Sequence, residues 1–569
     1  MYKYLLTIVV LTMTGVACQD WLDIKPLDNL VEEDFWQTYG DVESSINATY
    51  KVMVGDAIME RIIIGSELRS DNVDKQKMGT QIAAAWQNIM MLRNKDDNAY
   101  SKWNSFYTLI NYCNRILKFA PEVAKKDPNY TLGREHMHEA EAYAIRAWAY
   151  FYLVRLYGDV PYIDFPYLDD TQPTDYPNCV SKDAPFGEYG TMILDSMLVQ
   201  LETAERYAPL THGYTVYTPN LGTSSYISSI RRQTKGRITK NAVRALIADI
   251  ALWQASMTTD ETKRQAYYQT CIDACDRVMP FILSDEDWRL NQQFTGAELK
   301  LVQNENADYS GNGWGDYYQQ VFYTGNSDES IFELQFDNSN TSSTVRSIYG
   351  DNSTQHIYAT KNSAGAYAYP NDDIRKNTNS YQMSSQDNTW RILKYVVMRM
   401  STTVSGTNTS VTASFANSSR NFDWIIYRVP DIYLMKAEAL AERSERYGDA
   451  AAQQEALDLV NKVYARADVK NKELKLTGSI SKLVLDERRR EFMFEGKRWF
   501  DLLRYMRKSE NARTEALNML KGDYSSEISD LIESKLKSPG AIYLPIHKDE
   551  IDANPNLHAN PYKGFDSKK

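Results

Sequence analysis

Residues 139–161 read EAEAYAIRAWAYFYLVRLYGDVP, and the spacing of their apolar members decides how the rest of the chain is read. Ala140, Tyr143, Ala144, Ala147, Phe151 and Val154 recur at intervals of three and four, the period of one buried helical stripe. The alanines let a second helix come close, and the aromatic and branched residues between them fill the remaining space. Gly158 and Pro161 then stop the helix, because proline lacks the N–H that another turn requires.

The same signature recurs on both sides. Upstream it is carried by YSKWNSFYTLINYCNRILKF (100–119); downstream by ITKNAVRALIADIALWQAS (238–256) and YYQTCIDACDRVM (267–279). It returns in VPDIYLMKAEALAERS (429–444), AAQQEALDLVNKVYARA (451–467) and LVLDERRREFMFEGKRWFDLLRYMR (483–507). Helical pairs of this kind bury their faces by stacking on neighbouring pairs. The fold class expected is therefore mainly α: tetratricopeptide-like helical pairs in an α-α superhelix, without a clean 34-residue repeat. Residues 281–426 break the pattern with Asn, Ser, Thr, Gly and aromatics, and with short strand-like pieces such as SIFELQF (330–336) and YVVMRM (395–400). So long a stretch without structure is implausible in a compact domain, so it reads as a large irregular subdomain with short strands. A shorter irregular insert occupies 209–229.

The chain opens MYKYLLTIVVLTMTGVACQDWLDIKP, with a single Lys3 before an uncharged run from Leu5 to Val16. That run is shorter than the roughly 20 residues a membrane-spanning helix needs and has the form of a secretory signal. Gly15 and Ala17 lead to Cys18 in an arrangement similar to a bacterial lipobox, although Gly15 stands where leucine is usual. The division expected is a signal peptide at 1–17, a helical region at 18–280 lipidated at Cys18, the irregular subdomain at 281–426 and a second helical region at 427–569. An ordinary signal cleaved nearby, or a core helix, is the alternative reading.

Lysine and arginine total 64 against 75 acids, a formal net charge of −11, which argues against nucleic acid, whose binding requires many neutralised phosphates. The local exception, Arg231, Arg232, Lys235, Arg237 and Lys240, reads as a solvated loop entering a helix. Cys271 and Cys275 share a helix face and read as core thiols, with a disulfide as the alternative. His136 and His138 lie two apart, too close in register to converge, and read as a surface pair. The SGNGWGD stretch (310–316) lacks the flanking strand and helix of a dinucleotide site. Acid pairs abound, and none stands out as a catalytic couple. The irregular region is instead rich in aromatics: Trp288, Trp314, Tyr317, Tyr318, Tyr323, Tyr349, Tyr358 and Trp390. Flat rings with polar tips suit the C–H faces of sugars, although more than half of these rings are expected in the subdomain's own core, Trp288 and Trp390 first.

Together these segments resemble the SusD/RagB family of outer-membrane glycan-binding lipoproteins. The likeness runs nearly end to end, through CQDWLDIKP (18–26), DFWQTYGDVESSINATY (34–50), ELRSDNV (67–73), WNSFYTLINYCNRIL (103–117) and EAYAIRAWAYFYLVRLYGDVPYI (141–163). It continues through GRITKNAVRALIADIALW (236–253), ESIFELQF (329–336), YRVPDIYLMKAEAL (427–440), ERRREFMFEGKRWFDLLRY (487–505) and YLPIHKDEIDANPNL (543–557). The resemblance implies non-catalytic capture of oligosaccharides or polysaccharides at the cell exterior and their delivery to a SusC-like TonB-dependent transporter. It implies an outer-membrane protein held only by lipid on the residue matching Cys18. It implies no cofactor, and leaves a structural calcium ion open. Arg488, Arg489, Arg490, Glu491, Glu495, Arg498, Trp499 and Asp501 match the family's structural core and are not nominated as a site. The ligand face is expected after ELRSDNV, at Asn72 and Trp86, and in the subdomain, at Trp314, Tyr317, Tyr318 and Tyr323. Trp86 and Trp314 are expected to stack, with Asn72 and the tyrosine hydroxyls as hydrogen-bond partners. A peptide-binding member of the same superfamily and a surface glycoside hydrolase are the alternatives.

Overall fold

In the computed structural model the described residues are 32–560, apart from 79–83, 94, 170, 182–184, 213–233, 291–296, 304–315, 337–343, 351–355, 364–368, 370–372, 377–379, 385–387, 406–407, 416–421, 468–472 and 523. The signal segment, Cys18, Trp314, Arg231 and Arg232 lie outside them.

The frame is helical, as the periodicity predicts. Its N-terminal part contains α1 (Tyr39–Met53), α2 (Asp56–Ser66), strand β1 (Val73–Met78), α3 (Ala84–Met90), α4 (Asn104–Lys126), α5 (Leu132–Tyr157), α6 (Glu188–Tyr207), α7 (Lys240–Met257) and α8 (Glu261–Val278). Local chemistry sets several starts. Thr38 and Asp41 form a capping box for α1, the Thr239 hydroxyl accepts from the Ala242 N–H, and Asp260 accepts from Thr262 and Lys263. Gly158 ends α5 at φ 81°, its N–H bonding back to the Val154 carbonyl. The quoted helix is more deeply set than a single stripe implies. From Ala144 to Tyr157 every residue of α5 is buried, whereas Tyr143, placed on the stripe, is only half-buried. Neighbours pack on α5 from several sides, so no face is left for solvent.

Helix follows helix as direct neighbours: α4 on α5, α5 on α6, α6 on α7, α7 on α8. The stack continues from α8 onto α9 (Val429–Tyr447), which starts some 150 residues later in the chain, and then onto α10 (Ala450–Ala467) and α11 (Ile480–Phe492). Residues 279–428 are thus an insertion into an unbroken superhelix. Cys271 and Cys275, at the α8 face of that junction, are buried and free. Beyond α11 come α12 (Arg498–Met506), α13 (Glu510–Lys521), α14 (Ser526–Leu536) and α15 (Lys548–Ala553). The C-terminal segment folds back on the end of α5, where the Leu544 N–H donates to the Leu156 carbonyl and the Asn560 amide donates to the Tyr157 carbonyl.

The insertion contributes β2 (Ser330–Leu334), β3 (Ile357–Ala359), β4 (Ser380–Ser384), β5 (Thr389–Ile392), the hairpin β6 (Val397–Ser405) with β7 (Asn408–Phe415), and β8 (Trp424–Arg428). Its exit strand, β8, pairs antiparallel with β2, with Trp424 opposite Leu334 and Arg428 opposite Ser330. A four-stranded antiparallel sheet has the order β1-β3-β5-β4, so a strand from the N-terminal region forms its edge.

The insertion is joined to the frame by buried charge. Arg428 donates to Glu329 at 2.7 Å, to Glu495 at 2.7 and 3.0 Å, and to Glu491. Arg466 of α10 meets Glu329 and Glu491; Arg375 meets Asp373, Glu487 and Glu491; Lys394 meets Glu495. All these side chains are essentially inaccessible. Burial alone would raise Glu495, yet Arg428 and Lys394 hold it down at about 2, and Arg466, Arg428 and Arg375 hold Glu491 well below the usual carboxylate range. Removing one member strands its partners in a dry interior, so Arg428→Met is expected to destabilise the protein by about 3–5 kcal/mol in urea unfolding followed by circular dichroism.

Candidate functional site

The residues expected to face ligand are mostly interior. Asn72 is fully buried: its amide donates to Glu67 at 3.0 Å and accepts from the Arg489 Nε at 3.2 Å, while its carbonyl receives the Thr360 N–H and the Ser363 hydroxyl. Tyr317 lies under the Arg466 guanidinium, 4.2 Å from its ring centroid, and edge-on to Phe322. The Tyr318 hydroxyl donates to the Leu393 carbonyl and accepts from the Tyr395 N–H. Trp86, on α3, is 7 % exposed and packs edge-on to Tyr100. These four are therefore corrected from ligand contacts to packing residues: Asn72, Tyr317 and Tyr318 are enclosed where insertion meets frame, and Trp86 within the frame's own core. Tyr323 is half-buried against Phe422, and Trp314 lies outside the described residues.

Two other expectations change. His138 is not at the surface: it is buried, with Nε2 on Glu43 at 2.8 Å and Nδ1 on the Tyr130 hydroxyl at 3.1 Å. His136 stacks on Tyr207. Nor is Arg237 a solvated loop residue, since it bridges Glu43 and Glu141 at 2.9 and 2.7 Å. Trp390, expected in the core, packs half-buried against it on the inner side of the sheet.

The same sheet has an open side that the sequence reading did not single out. Its inner side is apolar and dry: Val73, Ile357, Ala359 and Ile392 are all buried. Strand alternation puts Tyr358 and Arg391, directly opposed on β3 and β5, on the other side. Thr389 shares that side by the same period, and Tyr358 and Thr389 are half-exposed. On β1, Gln76 is exposed, and Asp74 accepts from the Gln76 and Lys77 N–H groups at 2.8 and 3.0 Å, shaping the irregular register opposite β3. The Lys77 ammonium reaches the Asn388 carbonyl at 3.1 Å, tying β1 to the start of β5. The arrangement is a shallow surface with one half-exposed ring and one hydroxyl, Tyr358 and Thr389, over the buried Arg391 guanidinium, with the exposed Gln76 on the edge strand. Alternating hydrophobic and polar residues in VDKQKM and TWRI were the available signal, but only pairing told which residues share a side. Among the described residues no cluster of His, Cys, Asp or Glu could hold a metal ion.

Comparison with known proteins agrees with this architecture. Residues 285–562 match the family described as the SusD family, and residues 20–198 match that described as "starch-binding associating with outer membrane". The chain belongs to the SusD/RagB family. SusD-like protein P38 of Formosa agariphila is 25 % identical over 527 residues, covering 88 % of this chain and 90 % of that protein. A SusD superfamily protein of Bacteroides vulgatus aligns over 93 % of this chain and all of its own, with TM-score 0.63 and 17 % identity. A putative sugar binding protein of Bacteroides vulgatus aligns over 92 % of this chain and 98 % of its own, with TM-score 0.60 and 17 % identity. The SusD/RagB chain therefore has the mainly α, tetratricopeptide-like fold of these structures.

Behind the platform, where ELRSDNV turns into β1, lies a buried carboxyl. Burial pushes Glu67 up from an ordinary 4.5 to about 7, against hydrogen bonds from Asn72 and the Gly496 N–H. A carboxyl raised in the folded state contributes stability below its unfolded value and loses it as pH rises through the folded one. Comparing urea unfolding at pH 5 and pH 8, Glu67→Gln is expected to gain roughly 2–3 kcal/mol on the parent over that interval.

Proposed function

We propose that this chain is a non-catalytic, cell-surface glycan-binding protein that passes oligosaccharides to a TonB-dependent outer-membrane transporter. The observation that carries the reading is the polar side of the four-stranded sheet, where the half-exposed Tyr358 and Thr389 lie over the buried Arg391, with the exposed Gln76 on the edge strand. A ring face covers the C–H side of a sugar while a neighbouring hydroxyl meets its hydroxyls. A rigid apolar layer behind the strands keeps that side in place.

The carboxylates support a role without catalysis. Hydrolysis of a glycosidic bond uses two carboxyl groups flanking space for the substrate. Two described cavities gather several carboxylates, one around Glu438, Glu442 and Asp501 and the other around Asp249, Asp431 and Glu495, and each measures about 30 Å3, room for water alone. Each of these acids is also paired with arginine or lysine: Glu438 with Arg504, Glu442 with Lys508, Asp501 with Arg488, Asp249 with Arg155, Asp431 with Lys497 and Glu495 with Arg428.

Affinity electrophoresis against plant, host and microbial polysaccharides tests the reading. At least one polymer is expected to retard the protein, and Tyr358→Ala to weaken that interaction about tenfold or more at unchanged melting temperature. Full affinity in Tyr358→Ala, or release of reducing ends from the bound polymer, would overturn it. Anchoring is tested separately: the parent is expected to incorporate labelled palmitate and sediment with outer membranes, whereas Cys18→Ala is expected to stay unlabelled and be released.

A further inference from the structure

A cleft of about 490 Å3 opens on the helical frame, within the roughly 300–1,000 Å3 typical of small-ligand sites. One wall is the first turns of α4, which present Asn104, Tyr107, Thr108 and Asn111 at three-and-four spacing. The opposite wall is the irregular segment 161–176 with Tyr167 and Tyr176, and α15 closes the third side with Glu550 and Ala553. None of these residues belongs to the sheet.

The irregular wall is held as firmly as a helix. Asn111 accepts from the Tyr167 N–H at 2.7 Å and donates to its carbonyl at 3.2 Å, so one side chain pairs like a strand neighbour. Asn114 donates to the Ile163 and Phe165 carbonyls, and is itself fixed by Arg146. Tyr107 donates to the Pro161 carbonyl at 2.8 Å and Asn554 to that of Tyr176 at 2.8 Å. Phe165, Tyr167 and Tyr176 lean on one another with ring centroids 5.5–6.2 Å apart. A wall fixed in advance spares a ligand the entropy of ordering it.

The chemistry left open selects the ligand. The described lining contains no lysine or arginine and one carboxylate, Glu550, which disfavours anions. The wall carbonyls of Pro161, Ile163, Tyr167 and Tyr176 already accept hydrogen bonds from side chains, so an extended peptide would find few main-chain partners. What remains are tyrosine faces with the amide of Asn104, the hydroxyl of Thr174 and the Glu550 carboxylate, which match hydroxyl groups that both donate and accept. We infer that this cleft is a second carbohydrate site, specific for a short uncharged oligosaccharide and independent of the sheet. The inference rests on the glycan-binding reading and adds a separate place and charge preference to it.

Isothermal titration with maltotriose, cellotriose, xylotriose and mannotriose tests it, with trigalacturonate as the anionic comparison and an uncharged proline–tyrosine decapeptide as the peptide arm. At least one neutral trisaccharide is expected to bind, trigalacturonate to bind about tenfold more weakly or not at all, and Tyr176→Ala to weaken the neutral sugar about tenfold or more. Ala553→Trp, a substitution at an exposed position of α15 that fills the cleft from outside, is expected to do the same even if Tyr176→Ala folds poorly. Tyr358→Ala is expected to leave this event in place. Trisaccharide binding unchanged in both cleft variants would overturn the cleft assignment and leave the glycan reading standing. No binding by any saccharide, here or in the polysaccharide panel, would overturn both. Binding of the decapeptide alone, abolished by Ala553→Trp, would make the cleft a peptide site and end the carbohydrate assignment.

Discussion

The structure depends most on the buried contact of Arg428 with Glu329, Glu491 and Glu495. Arg428 ends the strand that leaves the insertion, Glu329 precedes its partner strand β2 well inside the insertion, and the other two acids lie in and just beyond α11. One guanidinium thus holds the exit of the insertion, and the start of the strand paired with it, against the frame the insertion interrupts. Planar, always charged and carrying five donors, arginine can satisfy three carboxylates from one position, which lysine cannot. The surrounding Arg466, Arg375 and Lys394 bring the local charge close to balance. Apolar replacements can match such networks in stability, so its value here is selection of one docking geometry. A slip of the β2–β8 register would leave buried charge without a partner.

That fixed junction positions everything proposed for ligand. β1 emerges from the frame at Asn72 and becomes the edge of a sheet whose other strands belong to the insertion, so the sheet exists only when both parts are docked. Its apolar side is covered by the junction, and on its polar side Tyr358 and Thr389 are half-exposed while Arg391 is buried. The cleft follows another logic, with asparagines at 111, 114 and 554 binding backbone directly and giving an irregular segment the rigidity that strands and helices supply elsewhere. In both places the scaffold is ordered before any ligand arrives.

Sequence alone determined the helical frame, the interruption from about 281 to 426, and the family resemblance. These rest on local periodicity and on motif order, and both are written along the chain. It also pointed to the aromatic supply of the irregular region. Which of those rings would face water was decided by tertiary structure. Tyr317 and Tyr318 are as polar-tipped as Tyr358, yet the first two found buried cationic and backbone partners while the third fell on the open side of a strand pair. Asn72 and His138 were enclosed for the same reason: Arg489, 417 residues from Asn72, and Glu43, 95 residues from His138, satisfied them, and Trp86 was closed into the core. Periodicity and motif order follow from neighbours in the chain, whereas exposure follows from long-range packing, and only the folded molecule resolves it.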